Sequence, residues 1–310
     1  MRDIHSSLEP AGRWAMRAAF CLAMVTVGSG IAAAQEIEPN EFVPAPDGTN
    51  LAIGYYIYGH NSGYNVANGP TVKNSGLEVN LGLARYVHYT YVGGHPAGFQ
   101  IIEAFGSESG GHIDGQSLGS TFGASNPAFS AFIWPYANIE KKQYLVMTGF
   151  LYPPIGSYNK NAALNIAPAL SGSFGWVGDF QVGWDQGIGE HFSYDASVDV
   201  RGYGDTTGPV PRLGSARAHR NPDFRLQAWA NYNWTRAFQT SIGWESILGG
   251  TGYTNQFQNG TKSEFERIRG AASMFVAPNA QLLVEVNHDF VAVGGFKQTI
   301  GATGRVVFIF

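Results

Sequence analysis

Trp176-Val177-Gly178-Asp179-Phe180-Gln181-Val182-Gly183-Trp184-Asp185 is the stretch that decides the fold. Trp176, Gly178, Phe180, Val182 and Trp184 fall on one face, with Val177, Asp179, Gln181, Gly183 and Asp185 on the other. Successive side chains of a strand point to opposite faces, so one surface is apolar and its reverse largely polar. Residues 192–201 repeat the pattern: Phe192, Tyr194, Ala196, Val198 and Val200 oppose Ser193, Asp195, Ser197, Asp199 and Arg201. A third copy sets Phe238, Thr240, Ile242 and Trp244 against Gln239, Ser241, Gly243 and Glu245.

Read outward from these, the chain gives twelve segments, most of them near the ~9–11 residues of a tilted transmembrane strand. They are 50–59, 77–91, 98–106, 126–136, 143–152, 172–186, 191–203, 222–234, 237–246, 264–276, 281–290 and 296–310. Links after even-numbered segments are short: 92–97, 137–142, 187–190, 235–236 and 277–280. Links after odd-numbered ones are long: 60–76, 107–125, 153–171, 204–221 and 247–263, with 291–295 the exception. Trp134, Tyr136, Tyr144, Trp184, Phe192, Tyr232, Trp234 and Phe238 gather at the short-turn rim, where rings suit a lipid–water interface. The reading is all-β: a transmembrane antiparallel up-and-down barrel of about twelve strands, with short periplasmic turns and long extracellular loops.

Composition agrees. Charged residues are 14% of the chain, against about 25% in soluble domains, while aromatics are also 14% and glycines number 41 of 310. Such aromatic content is unlike a disordered chain, and a net charge of −4 without a basic run argues against nucleic acid as partner. After residue 34 no apolar run approaches the roughly 18 residues of a spanning helix. Arg13 and Arg17 precede the apolar stretch Ala18 to Val27, and Ala32-Ala33-Ala34 has the small-residue pattern of a leader cleavage site. Three regions are therefore expected: a cleaved signal peptide (1–34), a periplasmic or plug segment (35–48) and an outer-membrane barrel (49–310). Cys21, the single cysteine, lies in the leader, so no disulfide staples the mature chain.

The chain ends Gly304-Arg305-Val306-Val307-Phe308-Ile309-Phe310. This alternating strand resembles the terminal signal read by the bacterial outer-membrane assembly machinery, with Phe308 and Phe310 as its assembly residues. Three further stretches carry a family resemblance: Phe42-Val43-Pro44-Ala45-Pro46-Asp47-Gly48-Thr49-Asn50, Gly82-Leu83-Ala84-Arg85-Tyr86-Val87-His88-Tyr89 and Tyr152-Pro153-Pro154-Ile155-Gly156-Ser157-Tyr158. From about residue 40 onward the chain resembles the "putative MetA-pathway of phenol degradation" family of outer-membrane barrels. The resemblance implies passive passage of small hydrophobic or aromatic compounds across the outer membrane of a Gram-negative bacterium. It supplies no catalytic or binding residues to carry over.

The inward face is the protein-lined route across the membrane. On it the alternation places Asp179, Gln181, Asp185, Asp195, Asp199, Arg201, Arg225, Gln227, Asn231, Glu245, Glu285, Asn287, Lys297 and Arg305. These charges either pair and hydrate the lumen or set its selectivity. Segment 143–152 is apolar on both faces, and Leu145, Met147 and Leu151 are assigned to an apolar lumen wall, lining the solute path or packing against a plug formed by residues 35–47. Two segments resist the scheme. The phase of Leu77, Val79, Leu81 and Leu83 puts Arg85 toward lipid, at about 2–4 kcal/mol at the midplane, unless a bulge near Gly82 or a rim position relieves it; Glu103 raises the same difficulty.

Other chemistry is sparse. Gly115-Gln116-Ser117-Leu118-Gly119 fits the G-x-S-x-G pattern but sits in a polar link without the following helix an elbow needs. His191-Phe192-Ser193 resembles the His-x-Ser pair of outer-membrane phospholipase, another twelve-stranded barrel. A barrel lipase or esterase using Ser193 or Ser117, and an adhesive or structural barrel acting through its loops, stand as alternatives. The leading expectation is a monomeric channel, not an enzyme, that meets lipid, the assembly machinery and a small solute, with no cofactor and no metal site; calcium held by loop carboxylates stays open.

Overall fold

The alternating segments pair edge to edge until the sheet closes on itself. The computed structural model describes residues 36–157, 175–210, 214–262 and 264–310; the expected leader lies outside them, as do 158–174 of the third long link and of the sixth segment. In chain order the strands are β1 (Asn50–Asn65), β2 (Thr71–Val92), β3 (His95–Ile113), β4 (Gln116–Ala124), β5 (Ala128–Asn138) and β6 (Gln143–Tyr152). Then come β7 (Val177–Ile188), β8 (Phe192–Tyr203), β9 (Thr206–Val210), β10 (Gly214–Arg220), β11 (Asp223–Asn233) and β12 (Phe238–Gly249). The chain finishes with β13 (Gly252–Thr254), β14 (Phe257–Gln258), β15 (Glu264–Ala277), β16 (Ala280–Val293) and β17 (Gly295–Ile309).

Twelve of these form a closed antiparallel transmembrane barrel in the order β1, β2, β3, β5, β6, β7, β8, β11, β12, β15, β16, β17, with β17 returning to β1. Each expected segment overlaps one barrel strand. Closure is completed at the rim, where Asn50 N donates to Phe310 O at 2.8 Å and Phe310 N to Asn50 O at 3.0 Å. A closed sheet has no unpaired edge, so every ladder N–H finds a partner without water. The turn between β2 and β3 consists of Gly93 and Gly94 at φ +59° and +86°, a left-handed pair suited to a two-residue hairpin.

The long links are largely sheet, a correction to their reading as loops. β1 and β2 stay paired up to Asn65 and Thr71, and β4 folds back on β3. Residues from the links after β8 and β12 build a separate four-stranded sheet in the order β14, β13, β10, β9. There His219 and Arg217 bond Asp205 and hold its carboxyl below the usual carboxylate range. Away from lipid no buried face imposes alternation, so the sequence pattern fades while the hairpin hydrogen bonds continue.

Phase is right on the strands that decided the fold. Phe180, Val198, Val200 and Ile242 are exposed outward, while Asp179, Gln181, Asp195, Asp199 and Glu245 are buried. It is inverted on β2. Leu77, Val79, Leu81 and Leu83 are buried inside and Arg85 is with them, bonded to Gln100 and Glu41. Gly82 stays in register with both Tyr56 and Phe105, so no bulge occurs there. Glu103 shares the outer face of Ile101 and Phe105 and lies where β3 parts from β5 (Ile102↔Ala128) and takes up β4 (Phe105↔Ala124), beside Ser125. The rim girdle holds for Tyr136 stacked on Trp184 and for Phe192, Tyr232 and Trp234, but Trp134 and Tyr144 turn into the lumen.

Closure at the seam predicts a measurable result. Unheated protein in detergent should migrate differently from boiled protein, and deleting Phe310, which removes the two rim hydrogen bonds at the end of the β1–β17 ladder, should lower the heat-modifiable fraction several-fold. An unchanged fraction would show that the seam closes without them.

Candidate functional site

Residues 36–42 lie inside the barrel, while Val43 and 46–48 are exposed where the segment runs to the rim; the backbone is irregular, so its buried polar groups need partners from the wall. The wall supplies them. Ile37 N donates to Gln227 Oε1 at 3.0 Å, while Ile37 O accepts from Trp229 Nε1 at 2.8 Å and Arg269 Nη1 at 3.2 Å. Asn40 N donates to Asp195 Oδ2 at 2.9 Å, and Phe42 O accepts from Trp134 Nε1 at 2.7 Å. Within the segment, Glu41 N bonds Glu38 O at 3.1 Å and Glu41 Oε2 accepts from Glu38 N at 2.7 Å, which folds a turn around Asn40. The tip of the Phe42 ring abuts Gly183, where a Cβ would stand 2.4 Å from Cζ. Residues 36–42 of the segment expected as periplasmic or plug are thus hydrogen-bonded to the inner wall.

Its carboxylates meet arginines. Glu36 pairs with Arg267 at 3.1 Å and Arg269 at 3.4 Å, and Glu41 with Arg85 at 2.6 Å. The wall also pairs internally: Arg201 with Asp223, both bonds 3.0 Å, Arg225 with Glu245 at 3.3 Å, Arg267 with Asp289 at 2.6 Å, and Arg269 with Glu285 at 2.9 and 2.8 Å. Arg269 further stacks over Trp229 at 4.6 Å. Gln181 donates to Asp199 at 2.6 Å, and Asp185 faces Asp195 across the β7–β8 ladder. Thus Asp179, Gln181, Asp185, Asp195, Asp199, Arg201, Arg225, Gln227, Glu245 and Glu285 all lie buried on the inward face, as anticipated. Among the described residues, neither oxygen of Asp179 and neither oxygen of Glu245 has a hydrogen-bond partner, although Glu245 is ion-paired with Arg225. Lys297 leaves the set: a register shift between Ile300 and Gln298 turns it off the lumen face, and its ammonium donates to Phe290 O.

The apolar wall is real but uses the other face of β6. Met147 and Leu151 are 37% and 47% exposed, and Leu145 pairs with Tyr136 and Trp184 on the outside, so all three turn to lipid. Tyr144, Val146, Thr148, Phe150 and Tyr152 point inward and are buried. With both faces apolar, the segment gives no phase of its own; the ladders to β5 and β7 decide it. Ile37, Phe42, Val87, Tyr89, Phe132, Trp134 and Val146 share one buried cluster, which welds plug to wall. Arg85, Arg267, Arg269, Trp134 and Trp229 escaped the sequence reading as lumen residues. The signal for two of them was present, since Arg267 and Arg269 alternate with Ile268 in the tenth segment.

Three regions stack along the barrel. Toward the long hairpins, Tyr64, Leu77, Ile113, Leu118 and Phe296 form an apolar cap, with Tyr64 edge-on to Phe296 at 5.2 Å. Beside the plug, among Phe42, Arg85, Gln100, Trp134 and Thr148, remains a space of about 30 Å³, the share of one water in the liquid. At the short-turn rim a vestibule of about 380 Å³ opens below the plug, within the ~300–1,000 Å³ of small-ligand sites. An aromatic solute therefore fits the vestibule and not the space beside Phe42.

The hydrolase candidates find no supporting geometry among the described residues. Ser117 lies on β4, in a hairpin, and its hydroxyl accepts from Gly119 N. Ser193 donates to Asn40 Oδ1 at 2.7 Å, while His191 meets Asn233 O at 2.8 Å, so the two are not bonded to each other.

A family model described as "Putative MetA-pathway of phenol degradation" matches residues 60–299. Among solved structures, an outer-membrane channel from Pseudomonas putida F1 superposes with a TM-score of 0.79 at 24% identity, covering 89% of this chain and 100% of that one. The β-domain of the Bordetella autotransporter BrkA gives 0.49 at 11% identity, covering 86% and 100%. A mutant of the monoaromatic hydrocarbon channel TodX gives 0.43 at 9%, covering 92% and 94%. No curated protein sequence matches.

If the plug is what closes the lower lumen, its seat is the place to disturb it. Gly183→Leu, which drives a side chain into the Phe42 ring, and deletion of residues 36–43 should each raise single-channel conductance in planar bilayers several-fold, with heat-modifiability retained. Unchanged conductance in both would assign the block to the apolar cap.

Proposed function

The chain belongs to the family described as "Putative MetA-pathway of phenol degradation", and on that premise we propose that it is a passive outer-membrane channel for small hydrophobic or aromatic compounds. The single observation that carries this reading is the apolar inner wall. In a water-filled porin the inward residues are polar. Here Leu83, Ile102, Phe150, Tyr152 and Val177 form one buried cluster and Val87, Phe132 and Val146 another, facing a charged wall on the opposite strands. An apolar surface with a few placed polar groups rewards a solute that sheds water, and does nothing for a hydrated ion.

In the same reading the leader ending at Ala34 directs export and is cleaved, Phe308 and Phe310 present the terminal strand to the assembly machinery, and the barrel works as a monomer in a Gram-negative outer membrane. The outward, exposed rings of Phe308 and Phe310 are consistent with that use. The charged residues from Asp179 to Glu285 hold the plug and set the field of the lumen; the solute follows the face of Val146 and Phe150.

Uptake of radiolabelled phenol tests the reading. Cells expressing the protein should accumulate phenol faster than cells carrying an empty vector. Phe150→Asp, which leaves an unpaired carboxylate on the apolar wall, should lower that gain roughly tenfold, whereas Asp199→Asn on the charged wall should change it by less than about twofold. Both variants should stay heat-modifiable. No gain over empty vector with the native chain would sink the channel; equal losses would replace the apolar path by a general aqueous pore.

A further inference from the structure

The vestibule at the short-turn rim is a built site as well as a passage. Its apolar side comes from the barrel seam: Leu51 and Ile53 on β1, Val307 and Ile309 on β17, with Phe275 across from them. Its polar side carries three arginines, Arg85, Arg236 and Arg305, against the one carboxylate of Glu41. Arg85 is already committed to Glu41 at 2.6 Å and to Gln100 at 2.6 Å. Arg305 is not. Its Nη2 donates to Gln281 Oε1 at 2.7 Å, its Nε has no partner, and among the described residues no carboxylate lies within ion-pair distance of it. Arg236, in the β11–β12 turn, is exposed on the same cavity.

We propose that this vestibule binds a small aromatic monocarboxylate, its ring against the seam and its carboxylate between Arg305 and Arg236. Of the charged side chains that line the cavity, Arg305 and Arg236 have no carboxylate within ion-pair distance among the described residues, and Glu41 is taken by Arg85, so the site favours an anion. Gln281 holds Nη2 and so fixes the plane of the Arg305 guanidinium at the cavity wall, and charge-assisted bonds from a guanidinium to a carboxylate are about twice as strong as neutral ones. The seam residues reward a ring in place of a hydrated small ion: Ile53 and Val307 are almost completely shielded from solvent. The volume of about 380 Å³ admits one ring and its carboxylate without moving the plug.

The inference deepens the channel reading and rests on it for its purpose, placing a holding site for the acid form of an aromatic solute at the periplasmic end. Calorimetry on the full-length protein in detergent tests it, with sodium benzoate as probe, benzyl alcohol as the same ring without charge, and acetate as the charge without a ring. Benzoate should bind saturably, and at least about tenfold tighter than either control. Arg305→Gln should weaken benzoate roughly tenfold and leave benzyl alcohol unchanged, Arg305→Lys should recover part of the loss, and Arg236→Gln should matter less and only at low salt. Heat-modifiability confirms that each variant is assembled. Benzoate binding no tighter than benzyl alcohol, or unaffected by Arg305→Gln, overturns the proposal; acetate matching benzoate overturns its aromatic part. Phenol uptake that persists without benzoate binding removes the site and spares the channel. Benzoate binding without phenol uptake spares the site and removes the channel.

Discussion

Twelve strands enclose more space than their own side chains fill; an eight-stranded barrel is about the size at which side chains alone suffice. The surplus has to be occupied by water, solute or chain. Here it is chain, and the rest of the interior follows from that choice. A plug without regular secondary structure brings unpaired N–H and C=O groups into a site walled off from solvent, each costing about 1–3 kcal/mol if left unmet. Gln227, Trp229, Arg269, Asp195 and Trp134 meet the groups of Ile37, Asn40 and Phe42. These wall residues are fixed in identity by the backbone they serve.

The ion pairs are arranged so that the plug is specified without being locked. Breaking a buried pair costs about 3–5 kcal/mol because it strands a charge. Withdrawal of Glu36 strands none on the wall: Arg267 retains Asp289, and Arg269 retains Glu285. Arg85 differs: Gln100 keeps one hydrogen bond to it when Glu41 leaves, but its charge loses the one carboxylate paired with it, so this contact is the costly one to break. The departing carboxylates move toward the vestibule and water. What remains to be overcome is the burial of Ile37 and Phe42, about 1.5–3 kcal/mol each, and the backbone hydrogen bonds. Such a closure is stable at rest and within reach of a bound solute.

The sequence showed the barrel more clearly than its contents. On β7, β8 and β12 the alternation between apolar and charged residues is strict, and there both the strands and their facing were legible. On β6 both faces are apolar, and on β2 the apolar set lies inside, so alternation located the strands and misdirected their side chains: Met147 and Leu151 went to lipid, and Arg85 to the lumen. The usual inference from alternation assumes a polar interior. It fails where the interior is apolar, which is where Phe42 and the cap fill it. The plug was foreseeable only as a segment, because a contact such as that of Phe42 with Gly183 joins residues that no local pattern connects.

That failure has a functional meaning. The two inner walls reward different groups: a hydrated ion gains nothing from Val146 and Phe150, whereas on the charged wall Arg201 and Asp223 are already paired with each other. Residues 36–42 lie between them: Ile37 and Asn40 are bonded to Gln227, Trp229, Arg269 and Asp195, while on the apolar side Glu41 pairs with Arg85 and Phe42 O accepts from Trp134. The two halves of the segment are thus held by different chemistry: backbone hydrogen bonds to the charged wall on one side, and an ion pair with apolar packing on the other.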